Sequence, residues 1–224
     1  MTIHAPIRRI YDSLAESYDQ RWQRYLDATF NLAIRSLDLT GRESILDVAS
    51  GTGELERRLL GYWPDVQIIG LDLSLNMLRM AVTKGVGDNA SWVQGDAACL
   101  PLRDHQFDCV LCVNSFHFFR SPAVSLREMR RVLRPGGSLI IVDWCDDYLS
   151  CKLCSFWLRL TDPAFYQTYT VNACKEVLET AGFEVQTATR DRIDWFWGLM
   201  CVVSRPSSER LSLQIRAAPV TVMG

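Results

Sequence analysis

A glycine-containing turn at residues 49–53, between an apolar run and a helical pattern, most constrains how this chain can fold. The run at 45–48 has the length and apolar character of a buried parallel strand, and residues 54–60 repeat with helical spacing. Gly51 and Gly53 can adopt backbone angles closed to other residues and leave no side chain in a ligand's path. A strand, a tight glycine turn and a helix predict the first half of a nucleotide-binding β-α-β unit, although any tight strand-to-helix turn also favours glycine.

A carboxylate at the end of the next apolar run supports this interpretation. Residues 66–71 have the pattern of a second strand, and Asp72 follows them, 19 positions after Gly53. An acidic residue about 20 positions beyond such a turn commonly binds ribose, because a carboxylate accepts hydrogen bonds from two neighbouring hydroxyls. The alternative is that Asp72 caps the helix that begins near Ser74. The glycine turn upstream argues against capping as its only role.

Two acidic residues beside the turn indicate the kind of ligand. The dinucleotide fingerprint requires glycine or alanine three residues after the second glycine, and this chain has Glu56 there. A bulky acid at that position opposes close helix–strand packing, and its charge, with that of Asp47, opposes a pyrophosphate. The site therefore suits an adenosyl ligand that lacks phosphate and is positively charged. S-adenosylmethionine, with its sulfonium and amino groups, has these properties.

Residues 46–53, Leu-Asp-Val-Ala-Ser-Gly-Thr-Gly, resemble motif I of the class I S-adenosylmethionine-dependent methyltransferases. That motif usually has three alternating glycines, and Ala49 stands at the first of them, a small-residue variant of the ubiquinone/menaquinone C-methyltransferase-like branch. The resemblance, over about residues 8–205, implies a doubly wound, Rossmann-like α/β sheet of seven strands. The implied order is 3-2-1-4-5-7-6, with the last strand antiparallel and a helical N-terminal cap. It also implies that five motif residues bind the donor: Asp47, Ala49, Ser50, Gly51 and Gly53.

The resemblance assigns further donor-binding residues to the ends of later strands. Asp96 and Ala97 match the family's adenine-binding pair, in which the carboxylate accepts from the exocyclic amine and the Ala97 N–H donates to a ring nitrogen. The alternative for Asp96 is a solvated carboxylate at a strand end. Met77 would lie near the adenine, although core packing explains it equally well. Leu73, beside Asp72, and Asn114, after the fourth strand, complete the set.

The segment 114–119 is expected to border both donor and acceptor, because ligands of open parallel sheets bind at the carboxyl ends of the strands. His117 is the histidine that this placement brings near the cleft, and its ordinary pKa of about 6.5 suits a general base. The alternative is that His117 only shapes the pocket. Phe118, Trp144 and Tyr148 are predicted to contact the acceptor, since aromatic side chains suit a flat or apolar substrate.

The chain is predicted to divide into three segments. Residues 1–40 form a helical N-terminal cap, residues 41–206 the methyltransferase domain, and residues 207–224 a polar, mobile tail. In the resembled family a Tyr-Asp segment ahead of motif I closes over the cofactor like a lid, and Tyr18 is the predicted ligand contact here. Two pairs in this chain match that segment, Tyr11-Asp12 and Tyr18-Asp19.

Composition argues against several other classes of protein. The net charge of −2 provides no basic footprint for a nucleic acid. The N-terminus lacks the basic head and apolar middle of a secretory signal, and the longest apolar runs, such as 139–142, are far too short to cross a bilayer. These features predict a cytoplasmic protein with no nucleic-acid partner and no transmembrane segment. They do not predict an oligomeric state.

The eight cysteines do not form the pattern of a disulfide framework or a metal site. Cys109 and Cys112 fall inside a predicted buried strand, where a free thiol behaves as a small apolar residue. Cys151 and Cys154 form a Cys-x-x-Cys pair, but a metal site needs two more ligands and the three histidines offer no cluster. We therefore expect no metal and attribute this pair to helix packing.

The sequence thus predicts transfer of a methyl group from S-adenosylmethionine to a small-molecule acceptor by in-line displacement. The protein would contribute mainly by aligning donor and acceptor, which can supply roughly 7–11 kcal/mol. Two alternatives stay open. An NAD(P)-dependent oxidoreductase would share the glycine turn and Asp72, and a non-catalytic S-adenosylmethionine-binding protein would share every donor-binding motif.

Overall fold

The computed structural model describes residues 5–161, 165–193 and 197–207. Its helices are α1 (Ala5–Leu14), α2 (Tyr18–Arg35), α3 (Glu54–Tyr62), α4 (Leu75–Thr83), α5 (Pro122–Val132), α6 (Leu149–Thr161) and α7 (Val171–Thr180). Its strands are β1 (Ser44–Val48), β2 (Gln67–Asp72), β3 (Ala90–Gln94), β4 (Phe107–Val113), β5 (Leu133–Trp144), β6 (Phe183–Arg192) and β7 (Gly198–Pro206). Among these helices, none is both long and apolar enough to span a membrane.

The strands form one sheet in the order β3-β2-β1-β4-β5-β7-β6. β1 pairs in parallel with β2 and β4, and parallel pairing continues outward to β3 and β5. β7 lies antiparallel between β5 and β6. The order reverses between β1 and β4, so a crevice for a ligand opens at the carboxyl ends of these strands. The predicted doubly wound sheet, its strand order and its antiparallel last strand are confirmed.

The central strands are buried on both faces, as their continuous apolar sequences predict. Leu46 and Val110, paired across β1 and β4, belong to the layer that α5 and α7 cover. Ile45 and Leu111 belong to the opposite layer, against α2 and α3. Burial of each such side chain contributes roughly 1.5–3 kcal/mol. Packing on both faces keeps these strands rigid, and the crevice lies at their carboxyl ends.

The alternating pattern at 183–189 and the apolar pattern at 193–203 predict the last two strands, and the observed strands differ from these bounds. β6 continues beyond its predicted end, and β7 begins and ends later than expected. The Ile193 N–H donates to the Trp197 carbonyl at 3.0 Å and links the end of β6 to the start of β7. The sequence is mostly apolar from residue 195 to residue 203, so its pattern does not mark where β7 begins. The predicted tail, 207–224, lies outside the described residues except for residue 207.

Trp92 of β3 packs against two glycines. A Cβ on Gly70 would lie 2.4 Å from its indole ring, and a Cβ on Gly53 would lie 2.5 Å from it. Atoms cannot approach so closely without a shift of the surrounding structure. Gly53 therefore serves the contact between β3 and the start of α3 as well as the turn itself.

Gly70→Ala is expected to destabilise the protein by about 1–3 kcal/mol, because the added methyl group overlaps the Trp92 ring. Urea unfolding followed by circular dichroism measures the loss. Gly61→Ala is the matched control, since a Cβ there meets nothing within 4 Å and alanine favours a helix. Combining Gly70→Ala with Trp92→Val should cost less than the sum of the two single changes. Strict additivity would contradict the clash.

Candidate active site

A cavity of about 380 Å³ lies at the carboxyl ends of β1, β2 and β4 and extends beneath α1 and α2. Its volume falls in the range of small-molecule sites, roughly 300–1000 Å³. Phe118, predicted on the acceptor side, lines it, whereas Gly53 does not. The other residues assigned to the donor all line it: Tyr18, Asp47, Ala49, Ser50, Gly51, Asp72, Leu73, Met77, Asp96, Ala97 and Asn114.

The turn between β1 and α3 has a left-handed backbone at three positions. Ala49, Gly51 and Gly53 have φ values of +65°, +58° and +73°, and this region costs a residue with a Cβ roughly 1–2 kcal/mol. The N–H groups of Ala49 and Ser50 donate to the Leu71 carbonyl at 2.7 and 3.0 Å. The end of β2 therefore holds the strained alanine in place.

Asp72 joins the two loops that carry the site. Its Oδ2 accepts from the Gly51 N–H at 2.9 Å, and its Oδ1 accepts from the Ser74 N–H at 2.8 Å. Ser74 is the N-cap of α4, because its Oγ accepts from the Met77 N–H at 3.2 Å. Burial raises the pKa of Asp72 to about 6, against the effect of the backbone hydrogen bonds. Each carboxylate oxygen has a second lone pair with which to accept from a ligand hydroxyl.

Asp47 and Glu56 form a buried acidic pair next to the turn. A Cβ on Gly70 would lie 2.8 Å from Glu56 Oε1, and Glu56 is fully buried. Among the described residues, neither Glu56 oxygen nor Asp47 Oδ1 has a hydrogen-bonding partner. Burial raises the pKa of Glu56 to about 8, and burial with the charge of Glu56 raises the pKa of Asp47 well above its usual range. The pair therefore retains a proton near neutral pH.

Three buried polar atoms on cavity-lining residues lack a partner within the described ranges: Asp47 Oδ1, Ser50 Oγ and Asn114 Oδ1. The Asn114 backbone is left-handed, with φ of +59°, and its Nδ2 donates to Thr29 Oγ1 at 2.8 Å. All three atoms can accept hydrogen bonds. A buried acceptor without a partner costs about 1–3 kcal/mol, so a ligand that brings an ammonium group here would be stabilised. This set fits the amino group of S-adenosylmethionine.

The residues assigned to the adenine lie after β3, for Asp96 and Ala97, and in α4, for Met77. Asp96 Oδ1 accepts from the Ala98 N–H at 2.9 Å, which orients the carboxylate beside Ala97. Met77 is both buried and part of the cavity lining. Core packing and ligand contact are therefore compatible roles for this side chain.

Both Tyr-Asp pairs anchor a cap helix to a loop of the site. Asp12 of α1 accepts from Ser74 Oγ at 2.6 Å, beside the start of α4. Asp19 of α2 accepts from Thr52 Oγ1 at 2.5 Å and also pairs with the Lys84 ammonium. α1 and α2 thus lie over the cavity. Asp12 contacts the loop that follows β2, and Asp19 contacts the loop that follows β1.

Aromatic side chains form the wall between cap and sheet. The Tyr18 ring lies 5.9 Å from the Tyr11 ring, which meets Phe118 edge-on at 5.6 Å. Burial, with the charge of Asp72, raises the pKa of Tyr18 well above its ordinary value, so its hydroxyl stays protonated at neutral pH. Tyr11 belongs to one of the two pairs that match the lid segment, and it lines the cavity. Several other lining residues are marked by no motif, among them Arg8, Leu26, Phe30 and Arg120.

His117 is buried and paired with Asp143, which the sequence analysis did not single out as a functional residue. Asp143 Oδ1 lies 2.7 Å from His117 Nδ1, and Asp143 Oδ2 accepts from the His117 backbone N–H at 2.9 Å. The carboxylate therefore favours the tautomer with the proton on Nδ1, which leaves the lone pair on Nε2. His117 is not part of the cavity lining, but its ring lies 4.0 Å from that of Phe118, which is.

The two other predicted acceptor residues lie outside the cavity lining. Trp144 stacks on His117 with ring centroids 5.1 Å apart and contacts Trp197 at 4.6 Å. Tyr148 covers Gly198, where a Cβ would lie 1.8 Å from its ring, and Arg192 stacks on its other side at 4.5 Å. Trp144 thus supports the His117 ring, whereas the contacts of Tyr148 are those of packing between β7 and the end of β6.

Glu56→Gln is expected to stabilise the protein at alkaline pH by about 2–4 kcal/mol. The raised pKa of Glu56 means that its contribution is fully present below the ordinary value of 4.5 and is lost as pH rises through about 8. Urea unfolding at about pH 5 and about pH 9 tests this. The variant should match the wild type at the lower pH and exceed it at the higher.

Glu54→Gln provides a control of opposite sign. Hydrogen bonds from Arg57 and Arg58 lower the pKa of Glu54 to about 2, so its contribution is present above pH 4.5 and is lost as pH falls. The variant should be less stable than the wild type at high pH. Equal pH dependence in the Glu56→Gln protein and the wild type would contradict the buried acidic pair.

Comparisons with known proteins agree with this geometry. A family profile described as a methyltransferase domain matches residues 46–141. The ubiquinone/menaquinone biosynthesis C-methyltransferase UbiE of Hahella chejuensis is 31% identical over 156 residues, 62% of this chain and 59% of that protein. The demethylmenaquinone methyltransferase of Thermotoga maritima is 34% identical over 162 residues, 69% of this chain and 70% of that protein. A crystal structure of an S-adenosylmethionine-dependent methyltransferase from Aquifex aeolicus superimposes with a TM-score of 0.68 at 20% identity, covering 86% of this chain and 97% of that one.

The chain spans about three fifths of the length of the UbiE relatives it matches. It spans more than two thirds of the Thermotoga maritima protein. These comparisons lend no support to the nicotinamide-dependent alternative. With the sheet order and the site geometry described above, they show that the chain belongs to the class I S-adenosylmethionine-dependent methyltransferases, in the group that contains the ubiquinone/menaquinone C-methyltransferases.

Proposed function

We propose that the protein transfers a methyl group from S-adenosylmethionine to a ring carbon of a small hydroxylated aromatic acceptor of the quinol type. The observation that carries the proposal is the cavity, which joins an acidic half around Asp47, Asp72 and Asp96 to an aromatic half around Tyr11 and Phe118. The acidic half suits a cationic adenosyl donor, and the aromatic half suits a flat acceptor. The relatives named as C-methyltransferases of quinone biosynthesis support the choice of carbon and of a quinol.

Four residues would hold the donor. Asp72 would accept from the ribose hydroxyls, and Asp47 and Asn114 would accept from the ammonium group. Asp96 would accept from the exocyclic amine of the adenine. The donor itself supplies a methyl group already activated by the positive sulfonium. The protein's part is to hold it in one orientation and to exclude water under α1 and α2.

His117 is the proposed general base toward the acceptor. Asp143 fixes its tautomer, so that Nε2 can take a proton from a phenolic hydroxyl. Loss of that proton delocalises negative charge into the ring and makes a neighbouring ring carbon more nucleophilic. Phe118 contacts the His117 ring and also lines the cavity. A rotation of Phe118 would bring base and acceptor together.

The same proposal assigns the segments of the chain and its compartment. Residues 1–40 act as the lid and residues 41–206 as the methyltransferase domain. Six of the cysteines are buried as free thiols, and burial raises the pKa of Cys112 well above its ordinary value. Buried free thiols suit a reducing compartment, which supports a cytoplasmic location.

Binding of S-adenosylhomocysteine is expected to weaken about tenfold for each pH unit below pH 6. Asp72 has a pKa of about 6, and its neutral form can no longer accept from two ribose hydroxyls. The apo protein takes up a proton as pH falls, and that proton must leave when the ligand binds. Isothermal titration calorimetry between about pH 5 and about pH 8 measures this dependence.

Asp72→Asn separates this effect from general acid damage. The variant should bind roughly ten- to a hundredfold more weakly at neutral pH, through the loss of charge-assisted hydrogen bonds, and with little dependence on pH. Asp65→Asn, on the exposed surface, is the matched control and should behave as the wild type. Tight binding of NADH with none of S-adenosylhomocysteine would overturn the assignment of the donor.

The acceptor is tested with donor carrying an isotopically labelled methyl group and a chemically reduced 1,4-naphthoquinol. Carbon NMR of the product should show the label on a ring carbon. A label on oxygen would contradict methylation of carbon, but it would still support methyltransferase activity. No transfer to any metabolite in an extract, with S-adenosylhomocysteine still bound, would instead support the non-catalytic alternative.

His117→Gln is expected to lower kcat for this transfer by roughly 10²–10⁴-fold while the Kd for S-adenosylhomocysteine stays unchanged. Asp143→Asn should lower kcat less and shift its pH profile, because the His117 tautomer is no longer fixed. Quenched-flow measurement of a single turnover isolates the transfer step. A rate within a few-fold of the wild type in both variants would remove His117 from the mechanism.

A further inference from the structure

α6 turns its apolar side toward solvent. Five of its large apolar side chains are between 62% and 72% exposed, namely Leu149, Leu153, Phe156, Trp157 and Leu160, whereas Leu158 is partly buried. Their spacing of three and four residues places them on one face of the helix. A surface helix of a globular protein normally has the opposite arrangement. A contiguous apolar face of this kind marks an interaction surface.

The inward side of α6 is attached by polar contacts. Ser155 Oγ donates to Asp146 Oδ1 at 2.8 Å and lies 2.6 Å from Thr168 Oγ1. Cys151 Sγ accepts from the Gly198 N–H at 3.2 Å. The apolar face is therefore not required to hold the helix on the protein.

The charges on α6 are all positive. Lys152 and Arg159 are exposed at one margin of the apolar face, and the helix contains no acidic residue although the chain as a whole carries a net charge of −2. Arg192 adds a third exposed cation beside Tyr148, immediately before the helix. Asp147 and Asp191 are also exposed near this end of the helix, and Arg190 pairs with Asp147. The charges on the helix itself are still all positive, so its apolar face suits an apolar occupant that carries negative charge at its edge.

We propose that α6 docks on the surface of an anionic lipid bilayer, with its apolar face in the boundary between headgroups and acyl chains. A helix with Leu, Phe and Trp on one face and Lys or Arg beside them is typical of such interfacial binding. α6 has 13 residues, too few to span a bilayer, so it lies in the plane of the surface. A second copy of this chain, the competing occupant, offers no negative charge on the matching face, because α6 would meet α6.

α6 also contacts a segment that reaches the proposed general base. Thr168, which contacts α6, and Phe165 lie on one segment, and the Phe165 ring is 6.0 Å from that of His117. On the proposed function, an apolar quinol dissolved in the bilayer would then meet the acceptor side of the site. The docking itself rests on α6 alone and does not need that function.

Co-sedimentation with vesicles of phosphatidylglycerol and phosphatidylcholine, without donor or acceptor, tests the proposal. The wild type should sediment with them, and the Leu153→Glu, Leu160→Glu double variant should partition roughly a hundredfold more weakly, since burial of each leucine is worth roughly tenfold. The Tyr62→Glu, Val82→Glu double variant is the matched control, because both residues are exposed apolar side chains outside α6. It should sediment as the wild type does.

Charge and self-association are tested with the same protein. Lys152→Gln and Arg159→Gln should each weaken binding to the anionic vesicles roughly fivefold, and vesicles of phosphatidylcholine alone should bind less. Light scattering should show no dimer that the Leu153→Glu, Leu160→Glu change dissociates. The proposal would be overturned by such a dimer or by a wild type that stays in the supernatant. It would also be overturned if both double variants lost vesicle binding to the same extent.

A conservative change covers the case in which the charged variant does not fold. Vesicles with brominated acyl chains should quench part of the tryptophan emission of the wild type. Trp157→Phe, which keeps the apolar face, should remove that part. Unchanged quenching in this variant would show that α6 is not the inserted element and would overturn the proposal.

Discussion

The carboxylate of Asp72 is the interaction on which the site depends. It accepts from Gly51 in the turn after β1 and from Ser74 at the start of α4, so one side chain fixes both loops. The same end of β2 supplies the Leu71 carbonyl that holds the strained Ala49. The two loops consequently behave as one rigid rim, and the strand ends beneath them determine its shape.

Acidic groups that are costly to bury collect around this rim. Asp47, Glu56 and Asp72 all have raised pKa values, and burial is the first cause in each. The charge of Lys84 lowers the pKa of Glu56 but does not offset burial, so the protein holds a proton there and leaves acceptors unpaired. A fold that gives up stability at one place in this way is arranged for a ligand, here one that carries positive charge.

Much of the site could be predicted from sequence because its residues stand at strand ends that short motifs mark. The motif around Gly51 and the acid at the end of β2 needed only local spacing. Asp143 could not be found in this way, since it lies 26 residues from His117 and meets it only because β4 and β5 are neighbours.

Side-chain direction was the other limit. The spacing of the apolar residues in α6 does not tell which face of the helix is buried, because polar contacts of Ser155 hold the opposite side to the protein. The contact of Gly53 with Trp92 likewise depends on the pairing of β2 with β3. Sequence periodicity reports which residues share a face, whereas tertiary pairing decides what that face meets.

The attachment of the cap has a kinetic consequence. Asp12 and Asp19 fasten α1 and α2 to the same two loops that would grip the ligand. Under the proposed function, spent product would leave after those contacts open, so the residence time of S-adenosylhomocysteine would depend on detachment of the helices. Release of S-adenosylhomocysteine would then limit the turnover rate. Substitutions that weaken the contacts of Asp12 or Asp19 would change kcat although neither residue takes part in the methyl transfer.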